Sequence, residues 1–153
     1  MNAIRDHGSG ERPIVWRVHL RSVPEAVFAL LATDAGREKF WAERSRATAD
    51  GAAFELEFPN GQRLTCRVLA SEAPRKFAVE YFGGSCAEFQ LTDDGRGGTD
   101  LTLTETGVPA VEWHENYAGW VSVLLVLKAA CDHRIDLRAH DPARTWDQRF
   151  VEN

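Results

Sequence analysis

From Ile14 to Arg21 apolar and polar residues alternate, with Ile14, Trp16, Val18 and Leu20 on one face and Arg17, His19 and Arg21 on the other. That spacing predicts a half-buried strand. Ser22 and Pro24 then carry the cap and first-turn signature of a helix whose apolar side is Val27, Phe28, Leu30 and Leu31. Thr33 and Asp34 stop it and start a second short helix carrying Phe40 and Trp41. From Gly51 the period changes to two. Phe54, Leu56 and Phe58 share one face, followed in turn by Leu64, Cys66 and Val68, by Phe77, Val79 and Tyr81, by Ala87, Phe89 and Leu91, and by Leu101, Leu103 and Glu105. Pro59-Asn60-Gly61, Pro74, Gly83-Gly84 and the Asp93–Gly98 loop separate these runs, which predicts five more strands in an antiparallel meander.

After Pro109 the period lengthens. Trp113, Tyr117, Trp120, Leu124, Leu127 and Cys131 recur every three or four residues, which predicts one long helix from about Glu112 to Leu137. A sheet with one apolar face needs one covering layer, and this helix is the available one. The predicted fold class is therefore α+β: a curved antiparallel sheet of about six strands wrapped around a long C-terminal helix, with two short helices after the first strand. Residues 1–13 read as a flexible N-terminus, 14–137 as the domain, and 138–153 as an extension packing on the domain or on a partner. In the extension, Asp141-Pro142 has the signature of a new helix start, and Trp146 and Phe150 share a face. A short helix from Asp141 to Val151 is expected to cover the long helix's second apolar flank of Val121, Val123, Leu125 and Val126, unless a homodimer partner does so.

Composition narrows the function classes. An apolar fraction of 44% in 153 residues supports a full core. The net charge of −5, with arginines scattered among acids, argues against nucleic acid as the main partner. No apolar stretch reaches the roughly 20 residues of a membrane helix. The opening residues lack an apolar export segment, and three widely spaced cysteines suit reduced thiols. The expected location is cytoplasmic.

Candidate chemistry is sparse. His114-Glu115 begins a zinc-protease pattern, but Ala118 stands where the second histidine is required, so no metal is expected. The glycines at 95, 97 and 98 precede a strand rather than a helix, which makes them a hairpin turn and not a phosphate cradle. No cofactor is expected. Cys66 and Cys131 fall on apolar stripes and read as packing. Glu105 is the exception: alternation turns its carboxylate toward the apolar face, where burial would raise its pKa and fit it for general acid–base work.

Val23-Pro24-Glu25-Ala26-Val27-Phe28, the Phe40-Trp41 pair, Ala73-Pro74-Arg75-Lys76-Phe77, the Asp94–Leu101 hairpin and Gly119-Trp120 follow one another in an order that resembles the helix-grip fold of the START/SRPBCC superfamily. Within it the chain is similar to the heat-shock-protein-90 ATPase activator homologues, over roughly residues 14–137. The resemblance implies a cavity under the long helix, lined by Trp41, Phe54, Tyr81, Phe89, Trp113, Tyr117 and Trp120, that takes a small, mostly apolar molecule. It leaves two alternatives open. One is a cofactor-independent cyclase or hydrolase with Glu105, Tyr81 or Tyr117 moving the proton, and the other is a module stimulating a chaperone ATPase, for which no docking stretch is visible.

Overall fold

The computed structural model describes residues 12–152. The N-terminus expected to be flexible over residues 1–13 thus lies, as far as residue 11, outside the described residues. Strand β1 (Ile14–Leu20) has Ile14 and Leu20 buried and Arg17 and His19 exposed. Helix α1 (Pro24–Ala32) starts from Val23 with no side-chain cap. Ser22, the expected cap, is engaged elsewhere: its Oγ lies 2.9 Å from the Cys131 carbonyl and 2.8 Å from an Asp132 carboxylate oxygen.

Thr33 caps α2 (Asp34–Arg37), accepting from the Gly36 amide at 3.0 Å. A Cβ on Gly36 would fall 2.5 Å from the Ala29 carbonyl oxygen, so glycine is what lets α2 fold tightly onto α1. The helix stops at Arg37, earlier than expected. Phe40 and Trp41 occupy the turn beyond it, with both amides returning to the Arg37 carbonyl.

The chain then forms β2 (Arg44–Ala47), β3 (Ala53–Glu57), β4 (Arg63–Glu72), β5 (Lys76–Glu80), β6 (Cys86–Asp93) and β7 (Thr99–Thr106). The sheet has seven strands in the order β1-β7-β6-β5-β4-β3-β2, and every pairing is antiparallel. The strand beyond the expected six is β2. It carries no apolar alternation, because its one buried residue is Ser45, whose hydroxyl meets Asp34 and Arg37 at 2.8 Å. Charged Arg44 and Arg46 flank it, a composition suited to a sheet edge.

Helix α3 (Trp113–Lys128) crosses the inner face, entered through a 3₁₀ turn (Ala110–Glu112) and continued by a π turn (Ala129–His133). It ends at Arg134, in the left-handed region with φ 56°, short of the expected Leu137. Trp113, Trp120, Leu124 and Leu127 are buried as the spacing predicts. Tyr117 is not; 37% of it is exposed. Among the described residues no helix is long and apolar enough to cross a membrane.

Beyond α3 the expected helix over Asp141–Val151 is reduced to a turn closed by the Arg144 amide on the Asp141 carbonyl and a 3₁₀ turn at Trp146–Gln148. Thr145 and Gln148 cap that turn reciprocally, and Arg149 ends it with φ 72°. The extension is held by Arg138, whose guanidinium donates to the Ala42 and Glu38 carbonyls at 2.9 and 2.7 Å.

Candidate functional site

Where β3 and β5 end, Phe58, Tyr81 and Phe82 stand beside the N-terminal half of α3. The extension returns along the same side, with the Trp146 ring edge-on to Phe58 at 5.2 Å. Asn60 Nδ2 donates to Asp147 at 3.2 Å and ties the extension to the β3–β4 turn. Between these elements lies a cavity of about 280 Å³. Trp41, Phe58, Tyr81, Phe82, Trp120, Val123, Trp146 and Phe150 provide most of its wall, with Asn116 inside and Glu115 and Arg149 among its polar lining.

Three of the seven expected ligand-site residues line this cavity: Trp41, Tyr81 and Trp120. Their rings form one cluster, with Tyr81–Trp120 centroids 4.9 Å apart, Trp41–Tyr81 5.9 Å and Trp41–Trp120 6.2 Å. Phe54 and Phe89 sit behind them in solid core, each against Trp41. Trp113 and Tyr117 lie apart from the cavity, stacked at 4.8 Å, with Trp16 on the other side of Tyr117 at 4.7 Å. Tyr117 points from α3 toward the β1 edge and Trp120 toward Tyr81, so residues of one helical stripe serve different neighbourhoods.

Phe58, Phe82 and Asn116 are cavity residues that periodicity does not single out. Phe58 reads as one more inward residue of an alternating strand, and Phe82 falls off the pattern beside Gly83-Gly84. Asn116 is one polar position on a helix. Only contact across distant elements distinguishes them.

Glu105 is fully buried. It faces Ile14 on β1 and Ala87 on β6 in register. Its carboxylate accepts from Trp120 Nε1 at 2.7 Å and from Ser85 Oγ at 2.5 Å, and Asn116 Nδ2 reaches its two oxygens at 3.1 and 3.3 Å. Burial raises its pKa; the three donors pull it back, and the Glu112 carboxylate pushes it up again. Trp120 and Asn116 both line the cavity, so Glu105 lies behind the wall and holds two wall residues in place. Burial also raises the Tyr81 phenol, against a hydrogen bond at 3.3 Å from Trp41 Nε1.

The cysteine thiols are less acidic than usual: burial pushes Cys66 up to about 12 and Cys131 to about 11. His19 pairs with Asp94 at 2.7 Å on the sheet's outer face. Among the described residues no three histidine, cysteine, aspartate or glutamate side chains are placed to hold a metal ion.

Residues 21–132 match the family model described as Activator of Hsp90 ATPase homolog 1-like protein. No curated protein sequence is significantly similar to the chain. Among solved structures, the Aha1 dimer from Colwellia psychrerythraea is similar with a TM-score of 0.70 and 20% identity, over 80% of this chain and 97% of that one. A protein from Staphylococcus saprophyticus matches at 0.69 and 20%, over 84% and 97%. One from Mesorhizobium loti matches at 0.66 and 22%, over 82% and 100%. At these identities the likeness is one of fold.

Proposed function

Given that the chain belongs to the Activator of Hsp90 ATPase homolog 1-like family, we propose that it binds a small, mostly apolar molecule in the cavity between α3, the ends of β3 and β5, and the C-terminal extension. The observation that carries this reading is the cavity itself: about 280 Å³, walled by aromatic rings, with few polar groups. Concave, mostly apolar sites with a few placed polar atoms are the common form of small-molecule pockets.

Gly119 supplies the test. It lines the cavity, and a Cβ built there meets nothing within 4 Å. Gly119→Leu therefore fills the cavity without a backbone clash and removes a helix-interior glycine, a change worth about 0.5–1 kcal/mol in the stabilising direction. An environment-sensitive dye should bind the native protein at one per chain and be lost in Gly119→Leu at an unchanged or raised melting temperature. Equal dye binding by both proteins would overturn the reading.

The family description supports a second reading, a module that stimulates a chaperone ATPase. That activity should survive Gly119→Leu, because it needs surface and not cavity. A homodimer is compatible with either reading, and Val121, Leu125, Ile135 and Leu137 are exposed apolar side chains available to it. The acid–base alternative rests on the raised pKa of Glu105. It has less support from geometry, since the three donors already engage both carboxylate oxygens.

A further inference from the structure

Resting on the reading above, we infer that the cavity selects organic cations: amines or quaternary ammonium groups carrying an apolar tail. The first ground is the wall. Trp120, Tyr81 and Trp41 stand within 6.2 Å of one another, and Phe58 and Trp146 face in from the other side. Aromatic faces carry negative partial charge, and a desolvated cation between several of them is favoured over an uncharged group of the same size.

The second ground is what stands behind the wall. The Glu105 carboxylate pairs with no lysine or arginine among the described residues; its partners are the neutral donors of Trp120, Asn116 and Ser85. By donating its N–H to a carboxylate, the Trp120 indole becomes richer in electrons on the face it turns to the cavity. Two further carboxylates have the same sign: Glu115 on the wall, and Glu112, whose Oε2 is buried with no hydrogen-bond partner among the described residues.

Two features oppose them. The N-terminal end of α3 carries partial positive charge. Arg149 is the one basic side chain on the wall among the described residues; it is exposed, as Glu115 is, and water screens both far more than it screens the buried Glu105 carboxylate. Glu115 and Arg149 offset each other on the wall, so the balance is tipped negative by the ionised Glu105 carboxylate behind it, and the net charge of −5 steers cations in the same direction.

Three ligands with one tail separate charge from greasiness: decyltrimethylammonium and decanoate, each below its micellar concentration, and decan-1-ol, below its solubility limit. Titration calorimetry on the full chain at about 0.15 M salt, where the Debye length is about 8 Å, damps the effect of net charge. The ammonium should bind about tenfold or more tighter than the alcohol, as a desolvated cation–π site implies, and decanoate should bind weakest. Gly119→Leu should abolish all three, which assigns the binding to this cavity. Glu105→Gln should lower the ammonium-to-alcohol affinity ratio, even where the loss of the carboxylate under Trp120 and Asn116 weakens both ligands. Should that variant fail to fold, the exposed Glu115→Gln should lower the ammonium-to-alcohol ratio in a stable protein. Decanoate binding as tightly as the ammonium, or an ammonium-to-alcohol ratio unchanged in the carboxylate variant that folds, would overturn charge selection and leave an apolar site. Failure of all three ligands to bind would remove the binding reading along with it.

Discussion

Trp120 serves two neighbours at once, its ring forming cavity wall and its N–H holding the carboxylate of Glu105. Trp120→Phe separates the two, keeping an aromatic ring and deleting the donor. A buried acceptor that loses a partner costs about 1–3 kcal/mol, or several degrees in melting temperature at about 2–4 °C per kcal/mol. The cost should depend on pH. Burial holds the folded pKa of Glu105 above its reference value of 4.5. The folded state therefore binds this proton more tightly than the unfolded one. Glu105 favours folding most below pH 4.5, and less as pH rises through its folded pKa. Donors matter to the ionised form, so the gap between wild type and Trp120→Phe should widen from acid to neutral pH; a gap constant across that range would detach Trp120 from Glu105. Alternation along β7 is enough to read Glu105 as inward-facing. Its partners are not readable in the same way. Ser85 and Asn116 lie on a turn and a helix, and a serine or asparagine in the sequence carries no mark of the buried charge it serves.

The elements divide by how local their causes are. Strands with a greasy face and the buried stripe of α3 follow from periodicity, because one hydrophobic layer decides them. Edge strand β2 does not, since side-chain bonds from Ser45 to α2 and pairing with β3 hold it rather than apolar burial. The extension is the clearest case. Asp141 gives its signature to a turn by accepting from the Ala143 amide at 2.9 Å, but Thr145 restarts the chain and Arg149 ends it. What positions the segment is Arg138, reaching to carbonyls at Ala42 and Glu38. Arg138→Ala orphans both acceptors and should cost on the order of 2–3 kcal/mol. It should also expose residues 141–152 to protease and weaken dye binding, because Trp146 and Phe150 are part of the cavity wall. An extension as protected as in wild type would place its anchor elsewhere. His140 adds a pH dependence, with its ring nitrogens on Glu43 and Asp136. Partial burial works against the imidazolium, but hydrogen bonds to Asp136 and Glu43 outweigh it and raise the pKa above 6.5. That contribution is complete below pH 6.5 and is lost as pH rises through the folded value. Protease cleavage of the extension should therefore accelerate from pH 6.5 upward in wild type, and the acceleration should be absent in His140→Gln.

At the scale of the whole molecule, α3 is pinned to the rest of the chain at both ends by buried acids. Glu105 takes the N-terminal end through Asn116 and Trp120. Asp132 takes the other end, just past α3. Its side chain is shut off from solvent and accepts from the Arg21 and Ser22 amides at 2.9 and 3.1 Å and from Ser22 Oγ at 2.8 Å. A carboxylate at a helix C-terminus is disfavoured by the helix dipole, so its presence there is explained by the β1–α1 connection, whose backbone donors would otherwise be unmet. Burial works against ionisation of Asp132, yet the Arg21 and Ser22 donors outweigh it and hold the pKa down to about 2. The sign is opposite to that of Glu105. Stability from Asp132 is complete above the unfolded value of 3.8 and is lost as pH falls toward 2. Asp132→Asn removes the charge, leaves one oxygen to do the accepting of two, and turns an N–H₂ toward backbone donors. It should cost about 1–3 kcal/mol at neutral pH and flatten the acid limb of the stability curve between pH 3.8 and 2 relative to wild type. Glu105→Gln should leave that limb's slope alone and change the curve above pH 4.5. If both substitutions altered the same stretch of the pH profile, or if Asp132→Asn unfolded at the wild-type midpoint with the acid slope intact, the far end of α3 would be held by apolar packing and by the Lys128 and Ser22 bonds to the His19 and Cys131 carbonyls rather than by Asp132.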